Sequence, residues 1–151
     1  MKAKSLATPF PIQTLDSHDW SRLFTESQAE GLNMVRRLLD DFKSGVNRFD
    51  ASGELLLVQV ESQVVIGVCG LNREPDSKLE RAGRVRRLYI CPEYRGCGLA
   101  TSLVRSVIKH SREYFSRLTV NCGHLPVDTF YEQLGFKPTT CTGITHILEL
   151  S

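Results

Sequence analysis

Arg95-Gly96-Cys97-Gly98-Leu99-Ala100 stands between an apolar strand candidate and an amphipathic run. The strand is Val85-Arg86-Arg87-Leu88-Tyr89-Ile90, and Pro92 ends it because proline cannot donate to a sheet ladder. The run repeats apolar residues at helical spacing: Leu99, Leu103, Val104, Val107, Ile108 and Phe115. A glycine turn feeding a helix start leaves backbone N–H groups without partners, at the positive end of the helix dipole. Glycines at 96 and 98 let an anion such as a pyrophosphate approach the backbone without meeting a Cβ. Arg95 can add a charged hydrogen bond to a phosphate oxygen. A plain tight turn is the simpler reading. A dinucleotide fingerprint fits poorly, because Thr101 sits where its third glycine belongs and strands already precede the loop.

The 151 residues make one domain's worth of chain, taken as 1–151, and 41% hydrophobic with 24% charged residues argues against disorder. A net charge of +2 does not suggest a nucleic-acid binder. The cluster Arg81, Arg84, Arg86, Arg87 and Arg95 is either a solvated face or part of a site. Met1 to Pro11 lacks the apolar core of a signal peptide, and no run approaches a membrane span. Five cysteines, with no C-x-x-C pair, fit reduced thiols in a cytoplasmic protein and are expected to be dispensable for chemistry. Cys122 and His124 make at most half of a metal site, so no metal is expected.

Along the chain, Ile12 to Leu15 reads as a first strand and Ser17 as the cap of a helix bearing Trp20, Leu23 and Phe24. A second helix runs from Glu30 to Lys43 and stops at Gly45. Asn47, Arg48 and Phe49 follow in a loop, as a binding rim or with Phe49 pinned on the core. Glu54 to Val60 and Val64 to Leu71 form a hairpin around Glu61-Ser62-Gln63. Asn72 to Ala82 reads as a loop and Arg117 to Cys122 as a strand. A short helix starts near Pro126 and closes at Gly135, and Thr139 to Leu150 supplies one or two last strands. The order β-α-α-β-β-β-α-β-α-β indicates an α/β or α+β sandwich.

These residues together resemble the GNAT superfamily of acyl-CoA-dependent N-acyltransferases, from Ile12 to Leu150. The most specific match is Leu88-Tyr89-Ile90-Cys91-Pro92-Glu93-Tyr94-Arg95-Gly96-Cys97-Gly98-Leu99-Ala100. A second is Phe130-Tyr131-Glu132-Gln133-Leu134-Gly135-Phe136, in the expected order and separation. The resemblance implies a mixed, mostly antiparallel sheet of six to seven strands flanked by about four helices. It implies acetyl-CoA as cosubstrate, with the pyrophosphate on the N–H groups from Arg95 through Gly96, Cys97, Gly98, Leu99 and Ala100 to Thr101. Pantetheine would pair like an extra strand with Leu88, Tyr89 and Ile90, where a bulge opens the sheet. A backbone N–H near Ile90 would hold the oxyanion.

On the same resemblance the amine attacks the thioester directly and Tyr131 donates a proton to the departing thiolate. A tyrosine merely packed on the core is the bland alternative. His124 occupies the position where many relatives carry asparagine, either touching pantetheine, acting as a base, or simply exposed in a loop. Arg86 and Arg87 replace the central-strand glutamate of many relatives, so the base comes from elsewhere or the amine arrives deprotonated. His146 is a further candidate base. The arginines favour a small-molecule amine that also carries a carboxylate or phosphate. Acetylation of a protein N-terminus or lysine, and a non-catalytic acyl-CoA-binding regulator, are the alternatives. Neither a nucleic-acid nor a membrane partner is expected, and a homodimer is left open.

Overall fold

A computed structural model describes residues 7–75, 78–122 and 128–150. Among them a seven-stranded sheet runs in the order β1-β2-β3-β4-β5-β7-β6. The strands are β1 (Phe10–Pro11), β2 (Leu55–Glu61), β3 (Val64–Arg73), β4 (Ala82–Ile90), β5 (Arg117–Val120), β6 (Lys137–Pro138) and β7 (His146–Glu149). Every pairing is antiparallel except β4 with β5. The helices are α1 (Ser21–Ala29), α2 (Met34–Ser44), α3 (Leu99–Ser111) and α4 (Asp128–Gln133). This is the mixed, mostly antiparallel sheet with four helices that the resemblance implies.

β3 is the centre of the core. Val65 to Asn72 are all buried, so both of its faces are covered. α3 packs on one face, where a Cβ added to Gly67 would meet Leu103 and Ile90. The other face carries Phe49, whose ring lies 2.5 Å from where a Cβ on Gly70 would stand. The β2–β3 hairpin turns through Ser62 and Gln63, both at positive φ, the two-residue geometry that matches strand twist.

Several boundaries differ from the sequence expectation, each for a local reason. The first strand is Phe10–Pro11, not Ile12 to Leu15, because the chain leaves the sheet after Ile12 N–H bonds the Leu56 carbonyl. Leu15 then turns its own carbonyl to the Trp20 indole N–H. Ser17 does not cap α1; the Asp19 carboxylate does that work by accepting from the Ser21 N–H and hydroxyl. Phe24 is exposed rather than part of the buried face. The second helix begins at Met34 instead of Glu30, since Gly31 takes φ +77 and breaks the chain between the helices. α2 does end at Gly45, in the left-handed region. Asn72 and Arg73 belong to β3 rather than to a loop, and β4 starts three residues earlier than the apolar run. β5 stops at Val120, two residues short of Cys122. Phe115 lies beyond α3 and folds back over Gly83. Pro126 lies outside the described residues.

Candidate active site

β4 is held to β5 only from Ala82 to Val85, opposite Arg117 to Val120. Beyond Val85 the ladder between the two parallel strands stops, and among the described residues Arg86 to Ile90 have no partner strand on that side. A bulge sharpens the divergence: Val68 faces Tyr89 while Gly70 faces Arg86, so three steps on β4 match two on β3. Arg87, inside the bulge, sits at φ 61, a conformation a non-glycine residue holds only under constraint from its surroundings. The gap is a cleft of about 810 Å³, lined among others by Leu88, Tyr89, Ile90, Ala100, Cys122 and Tyr131.

At the mouth of the cleft the chain passes through the turn Pro92–Tyr94 into Arg95 to Gly98. Gly96 and Gly98 take φ +80 and +87, and a Cβ on either would meet nothing within 4 Å. Open space beside a left-handed backbone is what a close ligand approach requires. No side chain caps α3, so the N–H groups of Leu99, Ala100 and Thr101 lack intrahelical acceptors. Leu99 itself is buried, and Cys97 is exposed with its thiol directed to the Tyr94 carbonyl. Of the residues expected to bind cofactor, Leu88, Tyr89, Ile90, Arg95 and Ala100 line the cleft. Gly96, Cys97, Gly98, Leu99 and Thr101 form the adjoining turn and helix start.

Arg95 has a second task that the sequence did not reveal. Its Nε donates to the Ile90 carbonyl at 2.9 Å, and its two terminal nitrogens clamp Glu30 at 2.9 and 2.7 Å. The guanidinium also lies over the Tyr89 ring, and the Tyr89 hydroxyl donates to the same carboxylate at 2.5 Å. Hydrogen bonds from Arg95 and then Tyr89 hold the Glu30 carboxyl at about 2, well below its usual value. Glu30 comes from the α1–α2 turn, placed there by the break at Gly31.

At the other end of the cleft, three arginines share the sheet surface. Arg84 is bound bidentately by Glu74, at 3.0 and 3.1 Å, and the Glu74 side chain is almost fully buried. Arg87 approaches Asp41 only to 4.0 Å. Among the described residues no carboxylate stands within ion-pair distance of Arg86. Burial and the neighbouring Arg84 both push its proton affinity down. Of the cluster, Arg84, Arg86, Arg87 and Arg95 line the cleft, whereas Arg81 is exposed and lies outside that lining. Phe49, by contrast, is no rim: it is buried beneath Asn47, whose amide exchanges two hydrogen bonds with Asn72.

Tyr131 sits on α4 with its ring edge-on to Phe130 and Phe136, and its phenol is held protonated, chiefly by burial and then by the nearby Cys69 and Cys122. It is both packed on the core and open to the cleft. His124 lies outside the described residues. His146 is buried behind the cleft, its Nε2 2.9 Å from Glu132 Oε2 and its Nδ1 3.7 Å from Cys122 Sγ. The sequence did not reveal the contacts of Glu30, Glu132 and Cys122, because each meets its partners only through long-range pairing.

The acetyltransferase (GNAT) family model matches residues 14–136. No functionally curated protein matches the chain. Among solved structures, a protein assigned as an acetyltransferase from Exiguobacterium sp. 255-15 is 27% identical, with a TM-score of 0.84 over 94% of this chain and 92% of that one. A GNAT-family N-acetyltransferase of Escherichia coli, solved in complex with CoA, is 16% identical, with a TM-score of 0.67 over 100% of this chain and 86% of its own. A GNAT-family acetyltransferase of Staphylococcus aureus Mu50 is 14% identical, with a TM-score of 0.72 over 95% and 100%. At that identity the last two establish likeness of fold alone. Among the described residues no helix is long and apolar enough to cross a membrane.

Proposed function

Since this chain belongs to the GNAT acetyltransferase family, whose enzymes use acyl-CoA, we propose that it transfers acetyl from acetyl-CoA to a primary amine of a small molecule that also bears an acidic group. The observation that carries the reading is the cleft between β4 and β5, bounded by the glycine turn at one end and Tyr131 beside it. The residues fit the cosubstrate. Gly96 and Gly98 offer the side-chain-free backbone a pyrophosphate needs, next to three uncapped helix N–H groups. The unpaired edge of Leu88 to Ile90 suits an arm of amides such as pantetheine, which adds to a sheet edge as a strand does.

On the direct route the amine nitrogen attacks the thioester carbon and a backbone N–H near Ile90 holds the oxyanion. The carbon–sulfur bond then breaks, the nitrogen gives its proton to water, and Tyr131 protonates the CoA sulfur. The Tyr131 phenol holds a proton to give at neutral pH, but the burial that raises its proton affinity works against donation, so the part depends on its place beside the CoA sulfur. The acidic group of the acceptor is assigned to Arg86, whose half-buried charge gains most from an anion. His124 stays a candidate for contact with pantetheine. The cysteines, none of them in a disulfide among the described residues, fit a cytoplasmic setting.

The test is an amine panel with acetyl-CoA, followed by release of CoA thiol. Aminocarboxylates and aminophosphates should outperform their neutral analogues. Preference for neutral amines would remove Arg86 from acceptor recognition. Acetylation confined to peptide N-termini or lysines would shift the acceptor class. No acetylation of any amine, with CoA still bound, would leave a regulatory binding module.

A further inference from the structure

The acceptor end of the cleft holds more positive charge than the fold offsets. Arg84 is spent on Glu74 and on the Gly143 carbonyl at 3.2 Å. Arg87 has Asp41 of α2 at 4.0 Å, and Arg86 has no carboxylate at ion-pair distance among the described residues. Two more distant carboxylates act on Arg86, yet both are held elsewhere: Glu74 by Arg84, Glu54 by the N–H groups of Ala51 and Arg73. Arg37, one turn before Asp41 on α2, adds a third positive charge near Arg87. The Arg87 side chain is only 15% exposed, so water does little to disperse this excess.

The backbone is bent to bring these charges together. Consecutive residues of a flat strand point to opposite faces, which would part Arg86 from Arg87. Here Arg87 and Leu88 share the place opposite Cys69, and the bulge re-aims the chain with Arg87 at φ 61. Both arginines line the cleft and both feel the charge of Asp41. A non-glycine residue in the left-handed region inside a strand is strain of the kind kept at ligand clamps. Two half-buried guanidiniums side by side also oppose one another, which an arriving anion relieves. A carboxylate, with one charge and two oxygens, answers Arg86 alone. A phosphate monoester brings a charge of about −1.5 to −2 and three acceptor oxygens to one spot, enough for two guanidinium forks. The phosphates of CoA do not fill this role, because the glycine turn that suits them lies at the opposite end of the cleft.

We propose that the acidic group of the acceptor is a phosphate monoester held jointly by Arg86 and Arg87, which makes Arg87 a specificity-determining residue. The inference rests on the reading that the cleft takes an acidic amine beside acetyl-CoA, and it deepens that reading. Asp41 occupies Arg87 only loosely in the free protein and gives way to the dianion. Leu32 and Met34, from the connection between α1 and α2, line the same cleft and suit a short alkyl spacer between phosphate and amine. Discrimination then rests on charge number: a dianion engages both arginines, and a monoanion of the same shape leaves one unanswered.

The test compares 2-aminoethyl phosphate and 3-aminopropyl phosphate with their monomethyl esters, which keep the amine and the shape and lose one charge. Binding to the whole protein loaded with CoA is read by calorimetry, and acetylation by release of CoA thiol from acetyl-CoA. At least one phosphate should bind roughly 10-fold or more tighter than its ester, the scale of one charged hydrogen bond. That advantage should shrink below about pH 6, where the phosphate takes up its second proton. Inorganic phosphate should compete with the amine and not with acetyl-CoA. Arg87→Gln should bring the ratio of phosphate to ester close to one. Should that variant not fold, Arg87→Gly, which accepts φ 61 without strain, carries the comparison. Asp41→Asn should tighten phosphate binding several-fold, a gain that loss of a merely structural ion pair would not give. Equal binding of phosphate and ester, or tighter binding of the dicarboxylate aspartate, overturns the phosphate site and leaves an acidic acceptor standing. Preference for neutral amines overturns both. If no amine is acetylated, the transferase reading falls, and the calorimetric ratio still decides whether the phosphate site exists.

Discussion

Arg86 stands where β4 parts from β5, and Arg95 stands just past the far end of the same strand; both line the cleft. Arg95 has three of its five N–H donors taken by the fold. It ties the Ile90 carbonyl to the Glu30 carboxylate and lies on the Tyr89 ring, so it sets the shape of the cofactor end. Arg86 has burial and Arg84 working against its charge, with no carboxylate at ion-pair distance among the described residues. The same side chain is structural where acceptors already surround it and available for binding where they do not. At a half-buried site an arriving anion supplies what the fold leaves out.

The sharpest way to break this division is at the cofactor end. Gly98→Trp should abolish CoA binding and preserve the fold, since the added side chain enters empty space. The left-handed backbone there, φ +87, costs an L-residue about 1–2 kcal/mol, which a folded domain tolerates. Calorimetry showing unchanged CoA affinity in the folded variant would sever the turn from the cofactor.

Tyr131→Phe comes next. Turnover should fall by roughly 10²–10⁴-fold with CoA affinity nearly unchanged, because only a hydroxyl is lost from a packed ring. The defect should shrink as pH rises and the departing thiolate needs less help. Wild-type turnover in the variant would reduce Tyr131 to packing.

The two arginines can then be compared directly. Arg86→Ala should raise the KM of an acidic acceptor by about 10-fold to 150-fold, the equivalent of roughly 1.5–3 kcal/mol for a charged hydrogen bond, and leave CoA affinity alone. Arg95→Ala should do the reverse, weakening CoA binding by roughly 1–3 kcal/mol while the backbone N–H groups keep some affinity. A larger loss would mean that the Glu30–Arg95 clamp holds the turn in place. Equal effects of both variants on both ligands would erase the distinction.

The smallest effect expected is one of pH. The Glu30 carboxyl is held at about 2 in the folded protein, against an ordinary 4.5. A lowered folded value means stability present in full above about pH 4.5 and lost as pH falls toward 2. Glu30 and Arg95 are both partly exposed, which screens the pair, so the acid limb of thermal midpoint against pH should flatten only modestly in Glu30→Gln. An unchanged limb would show that the clamp adds nothing to stability.

The strand, turn and helix around Arg95 were legible in the chain because they depend on near neighbours: Pro92 ending β4, glycines turning at positive φ, and apolar residues at helical spacing. The match from Leu88 to Ala100 and the run from Phe130 to Phe136 carried the rest of the fold. Boundaries moved where one residue overruled a pattern, as Gly31 did by detaching Glu30 from α2. Phe49 looked equally suited to a rim or a core until Gly70 left it a place to lie.

By itself, then, the sequence determined the layered sheet, the anion-ready turn and the position of Tyr131, since hydrogen-bond period, proline and glycine act over a few residues. Only the tertiary structure decided which charges and polar groups keep company. Glu30 and Arg95 lie 65 residues apart in the chain, and Cys122 and His146 lie 24 apart, joined by the β5–β7 register. Coulomb attraction and hydrogen bonding fall off over a few ångströms, so the role of each such group is set by whichever distant segment the sheet brings against it.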